Sequence, residues 1–466
     1  MNGSRYDKYW LALLLAIAVA GCGGSSDMSN PVLSNRQGTV MVLGTDAPMG
    51  SVLAFQVNVT GLTASDGTNT VNLFSGSQTV EFSRLNGLRT LLDLQTVPAG
   101  TYTSITANLA SPVISYLNTT SSPPSVSTLN GTLSQSSVTV LLNQPLVVGD
   151  GDLIGLLIDF RLRDSLEVDA SGQLTGRVVP NLDIRSIPPD APDAEIDELR
   201  GGVTSINLSG KSFVMQGPHG RNITVVTDDQ TQFEPGEGLD QLDTNSIVQV
   251  SGSLQRASLT LHATEVILLS KEHFLLGGLI TDVRPSSGRA NEADLLVRTE
   301  LPDLSNAQPG TITTLSFDGN ERFFIRALRM PLSIFLFNRD SLVPGQRISA
   351  GGLLDSSVNP ARLDVRRVWL HQQGVEGTWV PGSTDRGNGT FLMNTGGLAG
   401  QLLNDPVKVL VSPLTRFRGL NGLADLTGPN SIRVRVVGLL VGDRVNGKAV
   451  ILARVVEKLQ SRTAQF

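Results

Sequence analysis

Apolar residues in this 466-residue chain recur in short runs that alternate with polar residues, and this pattern most narrows the possible fold. Clear cases are residues 104–109, 222–226, 246–250 and 432–436. Successive side chains of an extended strand point to opposite faces, so a period of two predicts strands with one buried face. Glycine, asparagine, aspartate, serine and proline separate the runs, and a helical pattern is limited to one or two turns near 194–200. The sequence therefore predicts an all-β fold.

Composition excludes several classes of protein. Charged residues make up 17% of the chain, below the roughly 25% of an average soluble domain. Glycine and proline, 48 and 23 residues, stay below the roughly 25–30% typical of disordered chains. A net charge of -6 argues against a general polyanion-binding protein.

The N-terminus combines Arg5 and Lys8 with an uncharged apolar run at 10–20. That run is shorter than the roughly twenty residues that a membrane-spanning helix needs, and the pattern is typical of a secretory signal. The run leads into four residues that resemble the bacterial lipobox: Val19, Ala20, Gly21 and Cys22. The resemblance implies cleavage before Cys22 and lipidation of its thiol. An ordinary signal with a chance cysteine, or an uncut signal anchor, remains an alternative.

Lipidation of Cys22 would place the protein at a membrane and would use its only thiol. Cys22 is the only cysteine, so no thiol remains for a disulfide, a zinc cluster or a nucleophile. Gly23 follows the cysteine instead of the aspartate that resembles an inner-membrane retention signal, which points to the outer membrane. We therefore expect a cell-envelope protein held to the membrane through its N-terminal lipid.

Composition shifts and motifs divide the chain into seven predicted segments. These are a signal peptide (1–21), a flexible tether (22–37), a β-sandwich (38–187), a Pro/acidic linker (188–199) and three small barrels (200–270, 271–372 with an insertion, and 373–459). Prolines stiffen the linker and its carboxylates should keep it solvated. A calcium site is the alternative, but the segment lacks the glycine turn and alternating aspartates of an EF-hand. That site would use Asp190, Asp193, Glu195, Asp197 and Glu198.

Four motifs identify the predicted sandwich. They are Thr-Asp-Ala-Pro at 45–48, Leu-Leu-Asp-Leu at 91–94, Pro-Ala-Gly-Thr-Tyr at 98–102 and Leu-Leu-Ile-Asp-Phe at 156–160. In this order they resemble the family called domain of unknown function 4382. The resemblance implies a β-sandwich of prealbumin or immunoglobulin-like type, common in bacterial lipoproteins. Since no activity is attached to that family, it supplies no catalytic residue.

Three later units repeat a phenylalanine element, a strand containing glycine and a closing strand. The phenylalanines are assigned as Phe233, Phe335 and Phe417, and the glycines as Gly252, Gly352 and Gly438. In the three units the phenylalanine and the glycine lie 19, 17 and 21 residues apart. The second unit is longer before its phenylalanine, and its insertion is placed around 289–310. The units resemble the family called domain of unknown function 5666, which implies small OB-like barrels of about five strands. Each glycine fits a bulge where a small barrel bends.

No motif for catalysis or for cofactor binding is present. The histidines, His219, His262, His273 and His371, are widely separated, and those in or beside closing strands are expected at the surface. Phosphate loops, dinucleotide fingerprints and zinc-binding spacings are absent. We therefore predict no metal, no cofactor and no catalytic residue.

Aromatic and basic residues of the second and third repeats are the candidates for binding a glycan or a protein. They are Phe323, Phe324, Arg326, Trp369 and Trp379. OB folds bind single-stranded nucleic acid through such residues, but the predicted compartment argues against that partner.

Two hypotheses about function follow. The first is a non-enzymatic envelope lipoprotein for binding, adhesion or scaffolding, whose partner is an envelope protein or a glycan. The second is an exported hydrolase or carbohydrate-active enzyme with an acidic pair carried by loops. Two carboxylates about 5–10 Å apart in one cleft would favour the second.

Overall fold

A computed structural model describes most of the chain beyond residue 35. The described residues belong to one structural unit, residues 36–466. The lipobox residues, Cys22 among them, and Arg326 lie outside the described residues. The described ranges are 36–47, 52–85, 88–118, 125–170, 173–188, 191, 194–234, 238–255, 260–269, 274–301, 309–325, 336–395, 402–403, 405–443 and 448–459.

The N-terminal region is a sandwich of β-sheets. Its strands are β1 (Gln37–Ala47), β2 (Val52–Ser65), β3 (Thr70–Asn72), β4 (Gln78–Glu81), β5 (Thr90–Pro98), β6 (Gly100–Asn118), β7 (Ser125–Asn130), β8 (Thr132–Leu133), β9 (Ser137–Val148), β10 (Leu153–Arg161), β11 (Leu166–Val168), β12 (Leu174–Val178) and β13 (Leu182–Ile187). One sheet has the order β13-β10-β1-β5, and the facing sheet has β3-β2-β6-β7 with β4 on β2 and β9 on β6. A small sheet, β11-β12-β8, and the short helix α1 (Leu162–Ser165) complete the region.

The sheet containing β1 is buried on both faces. Val40 and Val42 point into the sandwich core, while Met41 and Leu43 join the core of the first barrel. Parallel strands covered on both faces have nearly continuous apolar sequences, and β1 indeed pairs in parallel with β10. Because this sheet is buried on both faces, its second face packs directly against the first barrel.

The motif residue Asp93, on β5, connects these two regions. It is 1% exposed, and its carboxylate accepts hydrogen bonds from the backbone N–H groups of Ser75 and Leu94, both at 2.7 Å. Arg221 of the first barrel places its Nε 3.1 Å from Asp93 Oδ1. The buried carboxylate therefore has a structural role.

Three further sets of strands follow the sandwich. They are β14 (Ile196–Asn207), β15 (Ser212–Gln216), β16 (Asn222–Val226), β17 (Gln232–Glu234), β18 (Ile247–Leu254) and β19 (Leu261–Leu269); β20 (Phe274–Arg284), β21 (Glu292–Leu301), β22 (Ile312–Ser316), β23 (Arg322–Ile325), β24 (Arg347–Asp355) and β25 (Ala361–Leu370); and β26 (Gln372–Trp379), β27 (Thr390–Asn394), β28 (Val407–Arg418), β29 (Arg433–Asp443) and β30 (Lys448–Lys458). Single 3₁₀ turns lie at Ser83–Leu85, Pro218–Gly220, Leu239–Gln241, Arg339–Ser341 and Leu423–Asp425.

The three sets have the same connectivity. Strands β26-β27-β28-β30-β29 form a closed barrel in which β28 and β30 pair in parallel. The first and second sets close in the same way, through the parallel pairs β16–β19 and β22–β25. The short strands β17 and β23 extend this parallel contact. The predicted fold class, an all-β chain with a sandwich followed by small barrels, is confirmed.

A glycine bulge recurs in each barrel. The strand register shifts at Gly252, Gly352 and Gly438. A Cβ atom at any of them would lie 2.0 Å from a carbonyl oxygen of the facing strand. The bulges predicted from these glycines are confirmed, because only a residue without a side chain allows the two backbones to approach so closely.

The phenylalanine assigned to the second repeat is wrong. Phe233 pairs with Val266 and Phe417 with Val456, but the equivalent position of the second barrel is Phe323. Phe335 lies outside the described residues. Phe323 is 29 residues from the bulge glycine Gly352, whereas the other two repeats have 19 and 21 residues between these positions. Part of the insertion of the second repeat therefore lies between β23 and β24, and not at 289–310 as predicted.

Two expectations of solvent exposure are also wrong. Glu198, in the predicted linker, and His371 are only 4% and 3% exposed. The Glu198 carboxylate pairs with Arg347, and its Oε1 lies 3.2 Å from His371 Nδ1. These groups meet where the first two barrels and the sandwich join, and Arg84 of the sandwich lies 3.6 Å from the same carboxylate. The junction satisfies charges that burial would otherwise strongly disfavour.

Candidate functional site

A cleft of ≈ 630 Å³ lies between the first sheet of the sandwich and the third barrel. Sites for small molecules usually measure about 300–1,000 Å³. Among the described residues, its lining contains seven cationic side chains and four carboxylates, and we call it the basic cleft. The cationic residues are Arg89, Arg185, Arg416, Arg418, Arg435, Arg454 and Lys458, and the acidic ones are Asp159, Asp183, Glu195 and Glu457.

Strand alternation places these charges on the walls of the cleft. Asp183 and Arg185 flank Ile184, which is buried in the sandwich core. Arg416 and Arg418 flank Phe417, which packs against the core of the third barrel. Because neighbouring residues of a strand face opposite sides, each apolar residue directs the charged residues on either side of it outward. This period-two placement of charge is visible in the sequence, but it does not show which strands face each other.

An apolar contact holds the two walls together. Leu88, just before β5, packs against Val437 and Val455 of the third barrel, and all three are at most 7% exposed. Val437 and Val455 also line the basic cleft. The cleft is therefore a gap beside a packed interface, and its shape is set before any ligand arrives.

Two aspartates of the sandwich wall stand directly opposite each other. Asp159 on β10 and Asp183 on β13 are paired residues in the antiparallel register. Asp183 is 2.6 Å from the Arg161 guanidinium, whereas Oδ1 of Asp159 is buried with no hydrogen-bond partner among the described residues. Burial raises the pKa of Asp159, and the charge of Asp183 adds to this against the opposing effect of Arg435. The pair therefore combines a buried carboxyl group whose pKa is raised with an ion-paired carboxylate.

The wall formed by the third barrel carries arginines held by carboxylates. Arg435 lies 2.8 Å from Glu376 and 3.8 Å from Glu457. Burial acts to lower the pKa of Arg435, but these two carboxylates outweigh it and raise that pKa. The guanidinium consequently keeps its charge inside the cleft.

Three other cationic side chains of the cleft are less completely neutralised, namely Arg454, Arg416 and Lys458. Arg454 has a long ion pair with Glu195, 3.9 Å, and its Nε is buried with no hydrogen-bond partner within the described part of the chain. Burial, with the charge of Asp197, raises the pKa of Glu195, although Arg454 and Arg416 oppose the rise. Arg416 and Lys458 are exposed and have no ion pair with any described residue.

This arrangement suits an anionic group. Guanidinium groups bind phosphate and carboxylate through two parallel hydrogen bonds. The described lining contains no aromatic ring, so recognition by stacking on bases or sugars has no platform in the part of the cleft that the structure describes.

Two other cavities in the described residues are too small for a ligand. One inside the sandwich core and one at the Glu198 junction each measure ≈ 10 Å³, space for about one water molecule. The described residues include no group of three or more His, Cys, Asp or Glu side chains placed to hold a metal ion.

The aromatic candidates from the sequence pack inside the protein. Trp379 is 1% exposed in the core of the third barrel. Trp369, 2% exposed, stacks on Phe324 with 5.6 Å between ring centroids. Phe323 is half-buried and packs against the core of the second barrel. The structure does not bring these rings together on one surface, and it gives both tryptophans a packing role.

The fold and the site define an all-β protein with a basic cleft between its N-terminal sandwich and its third barrel. Residues 37–175 match the model of the family described as Domain of unknown function (DUF4382), and residues 200–267 match that of Domain of unknown function (DUF5666). The predicted resemblances of the sandwich and of the first barrel are confirmed, in the predicted order.

Other comparisons add little. No curated protein matches the chain. A solved structure described as "drosophila Unr CSD456" is 11% identical and covers 57% of this chain and 98% of its own, with a TM-score of 0.15. A TM-score this low establishes no common fold. Within the described residues, no helix has the length and apolar character needed to cross a membrane.

Proposed function

We propose that the protein is a lipid-anchored protein of the bacterial cell envelope that binds an anionic envelope component in the basic cleft. In this role it is a binding or scaffold protein and not an enzyme. The lipid would be attached at Cys22, after cleavage of the signal peptide, and would hold the protein at the outer membrane. The sequence Val19-Ala20-Gly21-Cys22 supports this attachment.

The excess of cationic side chains in the cleft is the observation that carries the proposal. Seven cationic groups face four carboxylates there, although the whole chain has a net charge of -6. A local field opposite in sign to that of the molecule concentrates anions at one place. Walls of low dielectric strengthen this attraction relative to an open surface.

Binding to isolated envelope vesicles tests the proposal. The full-length protein should bind more weakly as salt increases, because salt screens exposed charges. Reversing Arg416 and Arg418 together to glutamate should lower the affinity by at least about tenfold, or 1.4 kcal/mol. Arg177→Glu is the matched control, since this β12 side chain is 58% exposed and lies outside the cleft lining. Equal binding by both variants would reject the cleft as the site.

The anchor has a separate test. Cys22→Ala should release the protein from the membrane fraction or block its maturation, because lipid chains supply about 0.8 kcal/mol for each buried methylene. Mass spectrometry of the N-terminus checks the modification directly. A variant that fractionates like the wild type would contradict lipidation.

One observation favours the second hypothesis, an exported hydrolase. Directly opposed residues of antiparallel strands have Cβ atoms about 4.5–5.5 Å apart, so the carboxyl groups of Asp159 and Asp183 lie within the roughly 10 Å that a pair of glycosidase carboxyl groups spans. Asp159 would act as the acid and Asp183 as the nucleophile. Hydrolysis of a glycan by the wild type, lost in both Asp159→Asn and Asp183→Asn, would establish this activity. Turnover that survives both substitutions would eliminate the pair.

A further inference from the structure

The basic cleft offers hydrogen-bond acceptors as well as cationic donors. Asp159, with a buried oxygen lacking a partner in the described structure, lies opposite Asp183 on the sandwich wall. Carboxylates repel a ligand that is only an anion, but they accept hydrogen bonds from hydroxyl groups. The ligand that fits both kinds of group carries negative charge at one end and hydroxyls at the other.

The surplus of charge indicates a phosphate and not a single carboxylate. Two cationic groups of the described lining, Arg416 and Lys458, are exposed and have no ion pair with any described residue. A phosphate monoester carries about −1.5 to −2 charges near neutral pH, whereas a carboxylate carries only one. A phosphate therefore compensates more of the surplus, and arginines bind it through paired hydrogen bonds.

The neutral part of the lining limits what the rest of the ligand is. Its apolar side chains are aliphatic, namely Leu157, Val437, Val455 and Leu459. No described lining residue offers a ring on which a base could stack. A hydroxyl-rich body uses the acceptors of the cleft better than an apolar or an aromatic one does.

From these observations, and resting on the proposed function, we infer that the basic cleft binds a phosphorylated sugar. Arg416 and Lys458 receive the phosphate, and Asp159 and Asp183 accept hydrogen bonds from the sugar hydroxyls. A soluble sugar phosphate and the headgroup of a phosphorylated glycolipid share this chemistry.

Calorimetric titration of the full-length protein in detergent tests the inference. Glucose 1-phosphate is the probe, and glucose, inorganic phosphate and glucuronate are the comparisons. Glucose 1-phosphate should bind at least about tenfold more tightly than each of them, a difference of 1.4 kcal/mol. No saturable binding of glucose 1-phosphate, or equal affinity for inorganic phosphate or for glucuronate, would overturn the inference.

Variants test which residues contact the phosphate and which contact the sugar. Arg416→Glu should weaken the binding of glucose 1-phosphate and of inorganic phosphate by at least about tenfold, while Arg177→Glu changes neither. Asp159→Asn should weaken the binding of glucose 1-phosphate, because an amide oxygen accepts hydrogen bonds from hydroxyls less strongly than a carboxylate does. The same substitution should leave the binding of inorganic phosphate unchanged, because that ion has no sugar hydroxyls. Weakening by Arg177→Glu as large as by Arg416→Glu would overturn the assignment.

Vesicles distinguish the two sources and separate this inference from the proposed function. Vesicles that contain a phosphorylated glycolipid are compared with vesicles in which the sugar phosphate has been removed enzymatically. Binding that requires the phosphate, and that glucose 1-phosphate displaces, supports the glycolipid; binding of glucose 1-phosphate in solution without vesicle binding supports the soluble source. If envelope binding depends on Arg416 and Arg418 but glucose 1-phosphate neither binds nor competes, the inference fails and the proposed function stands.

Discussion

Replacing Gly438 by alanine should destabilise the third barrel, and the structure sets the size of the effect. The added Cβ would lie 2.0 Å from the carbonyl oxygen of Leu452 and 2.8 Å from its carbonyl carbon. Both atoms belong to backbone, so the clash cannot be relieved by turning a side chain. β29 and β30 must move apart at the point where they are hydrogen-bonded.

The expected cost combines two effects. Overpacking a well-packed interior costs about 1–3 kcal/mol, and each weakened hydrogen bond adds about 0.5–1.5 kcal/mol. We therefore expect Gly438→Ala to lower the free energy of unfolding by about 2–4 kcal/mol. Gly252→Ala and Gly352→Ala should behave alike, because the same 2.0 Å approach occurs in each barrel.

Gly202→Ala is the matched control. A Cβ at this position of β14 would meet no heavy atom within 4 Å, so the substitution should be neutral or stabilise by about 0.4–1 kcal/mol through the unfolded chain. Urea unfolding measures the midpoint, and hydrogen exchange with mass spectrometry locates the loss in β29 and β30. Equal stability of Gly438→Ala and Gly202→Ala would refute the role assigned to the bulges.

Two further predictions concern buried carboxylates of the sandwich. Asp93→Ala should cost about 1–3 kcal/mol, because it leaves the backbone N–H groups of Ser75 and Leu94 without their acceptor; a loss under about 0.5 kcal/mol in urea unfolding would contradict the structural role of this carboxylate. Asp159 has its pKa raised by burial, so the folded protein binds this proton more tightly than the unfolded chain and loses stability as the pH rises from 3.8 through the folded-state pKa. Asp159→Asn removes that loss, so its stability relative to the wild type should increase over this interval, and a difference that does not vary with pH would contradict the shift.

Local patterns were enough to predict an all-β chain, and the family resemblances supplied the sandwich and the small barrels. Period-two alternation identified the strands, and Gly252, Gly352 and Gly438 identified the bulges, because both signals act between neighbouring residues. The phenylalanine of the second repeat was misplaced because spacing alone cannot decide which of two nearby residues, Phe323 or Phe335, pairs with the closing strand.

Long-range packing could not be predicted in the same way. Asp159 and Arg416 line one cleft only because the third barrel packs back onto the sandwich, and nothing in either local sequence reports that contact. Glu198 and His371 were expected in solvent for the same reason, since their burial depends on partners from other barrels and from the sandwich. Charged residues that alternate along a strand identify a polar face, and only the tertiary structure shows what that face meets.

Chemical protection of the cleft arginines tests the central claim most directly. Phenylglyoxal modifies accessible guanidinium groups, and mass spectrometry measures its extent at each arginine of the full-length protein. If the basic cleft binds an anionic envelope component, adding envelope vesicles should slow modification of Arg185, Arg416 and Arg418 and leave Arg177 unchanged. Unchanged modification of the three cleft arginines while the protein is bound to the vesicles would contradict the account.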